Sequence, residues 1–129
     1  MMIDTRGWQI IVVEDDDDSR EVVTEALLYF DSGMEVVAVA DGSECLAVLE
    51  QVRPTAVIID LALPGLDGWA TLATIRDNPS LADVPVVAMT GYHSVNVQID
   101  ALEAGFTAYF PKPIDVFSFG EQLAEIIQP

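Results

Sequence analysis

Lys112 is the only lysine in a chain of 129 residues, and it closes a short apolar run, Ala108-Tyr109-Phe110-Pro111, just ahead of Pro113. Three other apolar runs end in polar groups able to do chemistry. Ile10-Ile11-Val12-Val13 runs into Glu14-Asp15-Asp16, Ala56-Val57-Ile58-Ile59 ends at Asp60, and Val86-Val87-Ala88-Met89 ends at Thr90. Acids, a hydroxyl and a single ammonium make a set suited to a phosphoryl group held with a divalent cation. Carboxylates gathered in one place repel one another unless protons or a cation relieve the charge. Hard oxygen ligands from one or two carboxylates, completed by backbone and water, suit Mg²⁺, which brings phosphate oxygens with it. Calcium fits less well, because no spaced Asp-x-Asp-x-Asp-Gly loop is present.

These residues can meet only if the four runs lie side by side. Short apolar runs separated by helical patterns read as buried parallel strands, and in open parallel sheets ligand chemistry collects at the carboxyl ends of the strands. The chain alternates strand and helix patterns five times. Asp18, with Glu21 three residues on, makes a capping-box-like start for a helix carrying Val22, Val23, Ala26, Leu27 and Phe30, with Gly33 as its stop. A second strand is expected from Met34 to Val39. Asp41 and Glu44 repeat the capping pattern before a helix with Cys45, Leu46, Leu49 and Val52, which Pro54 breaks. Pro64-Gly65 and Asp67-Gly68 make a tight loop, followed by a helix from about Trp69 to Asp77. The fourth strand, Val84 to Met89, leads to a helix ending at Ala104-Gly105, where glycine suits a left-handed cap. The fifth strand, about Thr107 to Phe110, precedes a last helix with Phe117, Leu123 and Ile126 on one side, in which Gly120 reduces rigidity. Strict β/α alternation predicts a parallel sheet with helices on both faces, a doubly wound (βα)5 architecture.

Composition narrows the function classes. A hydrophobic fraction of 51% marks a compact globular chain, and its length suits one domain with a real core. Twenty-two acids against five bases give a net charge of -17, which repels nucleic acid and anionic membranes and argues against direct DNA binding. No apolar run approaches a membrane span and no signal-peptide pattern opens the chain, so a cytoplasmic location is expected. The lone Cys45 has no CxxC or histidine partner in sequence and reads as a small core residue. Asp17 and Asp18 read as a solvated loop and helix start. His93, the only histidine, reads as incidental.

Four segments resemble the receiver domain of bacterial response regulators, of the CheY-like type: Val13-Glu14-Asp15-Asp16, Ile59-Asp60-Leu61-Ala62-Leu63-Pro64-Gly65-Leu66-Asp67-Gly68, Met89-Thr90-Gly91, and Tyr109-Phe110-Pro111-Lys112-Pro113. The resemblance covers the whole chain in order. It implies a flavodoxin-like fold and a single receiver domain over residues 1–129, with no output domain in this chain. It implies a phosphorylation-activated switch of a two-component or phosphorelay system, better called a switch than an enzyme. Asp60 would be the phosphoacceptor, taking its phosphoryl group from a sensor histidine kinase or phosphotransfer protein. Asp15 and Asp60 would ligate Mg²⁺ (or Mn²⁺), with Glu14 acting through water and the backbone carbonyl of Ala62 as a further ligand. Lys112 and the Thr90 hydroxyl would each bind a phosphoryl oxygen, and the Lys112-Pro113 peptide is expected to be cis. Tyr109 corresponds to an aromatic switch that turns inward as Thr90 moves; it reads equally as a half-buried strand tyrosine, and Thr90 also reads as an ordinary strand-end hydroxyl. A downstream protein target is implied, and a phosphorylation-dependent homodimer is compatible with the resemblance. Glu14 departs from the pattern, standing where an aspartate is usual. Ala62 and Tyr92 offer neither carboxylate nor amide to guide water, so slow self-dephosphorylation is expected.

Two other function classes compete. A receiver-like interaction module could work without phosphorylation, against which the intact Asp15, Asp60, Thr90 and Lys112 set argues. A flavodoxin-like electron carrier needs a hydroxyl- and glycine-rich phosphate loop after the first strand; five acids, Glu14 to Asp18, stand there instead.

Overall fold

The computed structural model describes residues 4–63 and 65–128; the Pro64 half of the expected Pro64-Gly65 turn lies outside the described residues. Five strands, β1 (Gln9–Val13), β2 (Glu35–Val39), β3 (Ala56–Asp60), β4 (Val86–Thr90) and β5 (Ala108–Pro111), form one sheet in the order β2-β1-β3-β4-β5. Every pairing is parallel. The intervening helices are α1 (Asp17–Phe30), α2 (Gly42–Leu49), α3 (Gly68–Arg76), α4 (Val95–Ala104) and α5 (Phe119–Ile127), with a short 3₁₀ turn at Pro79–Leu81. This is the flavodoxin-like (βα)5 fold expected from the alternation.

Strand residues alternate between faces, so each strand feeds two cores. Ile10, Val12, Ile58, Val87 and Met89 pack with Val23, Leu27, Phe119 and Leu123 of α1 and α5. Ile11, Val13, Val57, Ile59, Val86 and Ala88 pack with Cys45, Leu72, Ile75 and Ala101 of α2, α3 and α4. Covering both faces explains why β1, β3 and β4 read as unbroken apolar runs. Cys45 is a core residue, as its context suggested, and burial pushes its thiol up to about 12.

The helix ends differ from the sequence expectation where several residues could serve. The cap of α1 is Asp16, whose carboxylate accepts the Ser19 N–H at 2.8 Å, and Asp18 lies inside the first turn. Within a run of five acids any one can cap; the winner is set by where β1 releases the chain. That helix ends at Phe30, capped by Asp31 rather than by Gly33, and Met34 is buried just ahead of β2. Asp41 caps α2 as expected, but the helix stops at Leu49. Gly105 ends α4 in the left-handed region, at φ 112°.

The last helix differs most. Phe117 is not on its core side: it precedes α5, is 73% exposed, and its ring meets Tyr29 edge-to-face at 5.2 Å between ring centres. The inward residues are Phe119, Gly120, Leu123 and Ala124. Gly120 is a packing residue, since a Cβ there would lie 2.3 Å from the Phe30 Cβ. Its missing side chain lets α1 and α5 approach each other.

Candidate functional site

The carboxyl ends of β1, β3 and β5 converge as the register requires. Val13 pairs Ile59, so Glu14 and Asp60 emerge side by side. Backbone bonds from Leu61 N to Met89 O (2.9 Å) and from Lys112 N to Thr90 O (2.9 Å) continue the zipper one residue past the strands. Gly68 opens α3 directly beneath: a Cβ there would lie 2.6 Å from the Asp60 carbonyl oxygen and 2.9 Å from the Leu61 Cα, so only glycine fits.

Three carboxylates gather at this edge. One oxygen from each of Glu14, Asp15 and Asp60 lies within 4.8 Å of the others. Glu14 is fully buried, Asp60 is 6% exposed, and Asp15 faces solvent. Asp60 Oδ1 accepts the Ala62 N–H at 3.0 Å, and Oδ2 accepts from Lys112 Nζ at 2.9 Å. Lys112 also pairs with Glu14 Oε1. The second oxygen, Glu14 Oε2, is buried with no hydrogen-bond partner among the described residues. A buried acceptor left without a partner costs about 1–3 kcal/mol, more when charged, and such a cost is tolerated where a ligand relieves it.

The charges are unevenly held. Burial, with Asp60 alongside, pushes the Glu14 carboxyl up to about 7 against the pull of Lys112. Burial also acts to raise Asp60, but Glu14, the Ala62 N–H and Lys112 outweigh it and hold Asp60 below its ordinary value. Burial acts to lower Lys112, and the two carboxylates reverse that, so the ammonium keeps its proton. Of the two carboxyls Asp60 is therefore the more readily ionised. The Lys112-Pro113 bond is cis, as expected.

Thr90 is 2% exposed and caps its own loop, its hydroxyl oxygen accepting the Tyr92 N–H at 3.0 Å. Tyr109 pairs Ala88, so by alternation it shares a sheet face with Thr90. It is half-buried, and its hydroxyl lies 2.9 Å from His93 Nδ1. Glu14, Asp15, Asp60 and Lys112 are thus in one cluster, with Thr90 and Tyr109 on the flanking strands; Ala62 contributes its N–H. Two contacts had no sequence signal. Arg20 donates to the Glu14 carbonyl oxygen at 2.9 Å, anchoring the acidic loop from α1, and His93 engages Tyr109 across 16 positions of chain.

A parallel (βα)5 sheet with acids, a hydroxyl and one lysine at its carboxyl edge defines a class of phosphoryl-handling signalling domain. Residues 10–124 match the response regulator receiver domain model, and the chain belongs to that family, whose members act as signalling switches in two-component systems. It is 34% identical over 118 residues to the transcriptional regulatory protein HprR of Escherichia coli (strain K12), an alignment covering 92% of this chain and 49% of that regulator. The chain thus spans about half the length of such regulators. Among solved structures it is similar to a putative response regulator from Chloroflexus aurantiacus J-10-fl, with TM-score 0.86, 28% identity, and 95% and 98% of the two chains covered. It is also similar to the Mn(2+)-bound form of response regulator Rcp1, with TM-score 0.75, 30% identity, and 94% and 89% covered.

Proposed function

We propose that residues 1–129 work as a single receiver unit that is switched by phosphorylation of Asp60. The observation that carries this reading is the setting of Asp60: a carboxylate at the end of an apolar strand, oriented by the Ala62 N–H at 3.0 Å and faced by Lys112 at 2.9 Å. A carboxylate oxygen so placed can attack the phosphorus of a phosphohistidine. The new Oδ–P bond forms as the P–N bond breaks, and the imidazole leaves with its electron pair. The protein's task is to position the nucleophile and offset negative charge on the transferring oxygens. Lys112 would shift from the carboxylates to one phosphoryl oxygen, and the Thr90 hydroxyl would donate to another.

The acidic cluster and the unpartnered Glu14 Oε2 fit a hard divalent cation, and the Mn(2+)-bound Rcp1 supports that fit. Asp15, Asp60 and the Ala62 carbonyl would hold Mg²⁺ or Mn²⁺, with Glu14 acting through water; the ion supplies positive charge to the phosphoryl oxygens. The donor would be a sensor histidine kinase or phosphotransfer protein, and the output a protein partner or a phosphorylation-dependent homodimer, in the cytoplasm. The charge of -17 disfavours nucleic acid and membrane surfaces as partners, and no helix among the described residues is long and apolar enough to cross a membrane.

Intact mass after incubation with Mg²⁺ and acetyl phosphate tests the reading. A single phosphoryl adduct is expected, lost with EDTA and in Asp60→Asn. An adduct that persists in Asp60→Asn, or none in any condition together with no Mg²⁺ binding by titration, overturns it. The lifetime is a second prediction. The exposed Ala62 and Tyr92 bring no acid or amide to orient water, so the adduct decays slowly once donor is removed; a half-life of seconds would contradict this.

A further inference from the structure

The β4–α4 loop makes more connections than a cap and a turn require. In four consecutive positions it binds Thr90 at one end and Tyr109 at the other. The Tyr92 N–H is spent on the Thr90 hydroxyl at 3.0 Å. His93 places Nδ1 at 2.9 Å from the Tyr109 hydroxyl, with ring centres 5.5 Å apart and planes tilted by 44°. The next residue, Ser94, is fixed as the cap of α4, its hydroxyl accepting the Val97 N–H at 3.1 Å. The phenol is therefore held by the same loop that holds the Thr90 hydroxyl.

We propose that His93 is a positioning residue, a clasp that holds Tyr109 in its resting place and ties the ring's release to movement of Thr90. This rests on the reading of Asp60 as phosphoacceptor. Turning the Thr90 hydroxyl toward a phosphoryl oxygen withdraws the acceptor from the Tyr92 N–H. The freed segment carries His93 as the very next residue, so the loop's shift pulls the imidazole from the phenol. The reverse also holds: while His93 grips Tyr109, the loop resists the rearrangement that phosphorylation needs. Gly91, with open space where a Cβ would stand, leaves the loop room to make that shift. The clasp does not depend on tautomer, because Nδ1 can accept the phenolic proton or donate its own. It is a mechanical link rather than a pH sensor.

The test uses fluorotyrosine-labelled protein, with the Tyr109 ¹⁹F signal assigned through Tyr29→Phe and Tyr92→Phe. His93 is exposed, so its replacement leaves the core untouched. Without a donor, His93→Ala is expected to move the Tyr109 signal part of the way toward the position that Mg²⁺ with beryllofluoride produces in wild type. His93→Asn, whose amide can stand in for Nδ1, is expected to stay near the resting position. Adduct formation from acetyl phosphate should be about two- to fivefold faster in His93→Ala, the scale of one partly exposed hydrogen bond. A His93→Ala signal at the wild-type position, or displaced off that line, overturns the clasp while leaving the switch intact. A wild type showing neither a beryllofluoride response nor a mass adduct overturns the phosphorylation reading and the clasp with it.

Discussion

Arg76 and Lys112 are both half-buried cations at opposite edges of one sheet, and their partners differ in kind. Arg76, at the end of α3, reaches the amino ends of β4 and β5. Its guanidinium donates to the carbonyl oxygens of Gly105 (3.0 Å), Val84 (2.9 Å) and Ala82 (3.4 Å), and to the Thr107 hydroxyl (3.4 Å). Those acceptors do not titrate, and burial alone shifts the guanidinium, downward. Lys112, at the carboxyl ends, meets two carboxylates that share too little charge relief, and one of their oxygens stays unpartnered. The first edge is closed, with its cation tying a helix to two strand entries. The second is poised, its cation held by groups that gain when a new ligand arrives. Buried charge by itself marks neither structure nor function; the distinction lies in whether the partners are already satisfied.

The largest effect that can separate the two edges is on phosphoryl transfer. Lys112→Met should slow adduct formation from acetyl phosphate by about 10²–10³-fold, the scale of losing one fixed charge aimed at a transferring oxygen. Arg76→Met should leave the rate nearly unchanged in folded protein, since distant sites act independently. Initial rates by intact mass decide between them. If Arg76→Met slows the reaction as much as Lys112→Met, the edges are coupled and the comparison fails.

Stability should show the opposite ranking at the closed edge. Arg76→Met orphans carbonyls at the start of two strands and should cost about 2–3 kcal/mol in urea unfolding. A change within error would mean that water replaces the guanidinium there at no cost, and Arg76 would lose its claim to a structural role.

The sequence alone marks the two cations very differently. Lys112 stood out because it terminates an apolar run and has no other lysine to be confused with. Strand ends fix direction, and parallel register does the rest, which is why Glu14, Asp15, Asp60 and Lys112 could be placed at one edge from one dimension of information. Arg76 gave no comparable signal, because its partners are backbone carbonyls, which every residue has. The same reason hid Arg20 behind the Glu14 carbonyl. Gly120 carries a propensity cost that its own helix shows, while its packing reason comes from the approach of Phe30, an element distant in sequence. His93 gave no signal either, because a hydrogen bond across 16 positions depends on where a loop folds back. Periodicity reports what a residue's own element needs, and it is silent on what a neighbouring element brings.

The smallest predicted effect tests the poised edge without any phosphoryl donor. In metal-free protein Glu14 keeps its proton up to about pH 7, whereas in the unfolded chain it releases it near 4.5. Between those values the folded state binds more protons than the unfolded one, so stability falls as pH rises through that window. The contribution is on the order of 1–2 kcal/mol, because Glu14 titrates jointly with Asp60 and Lys112. The other acids add their own slope through self-repulsion, so the decisive measurement is a difference. Urea midpoints at pH 5 and 7.5 in EDTA should diverge more for wild type than for Glu14→Gln. Arg76→Met should run parallel to wild type, lower at both pH values. Mg²⁺ should raise the wild-type midpoint more at pH 7.5 than at 5, since ligand carboxylates must be ionised to bind it. Parallel wild-type and Glu14→Gln profiles would mean that the unpartnered oxygen carries no strain, and the poised edge would then be as settled as the closed one.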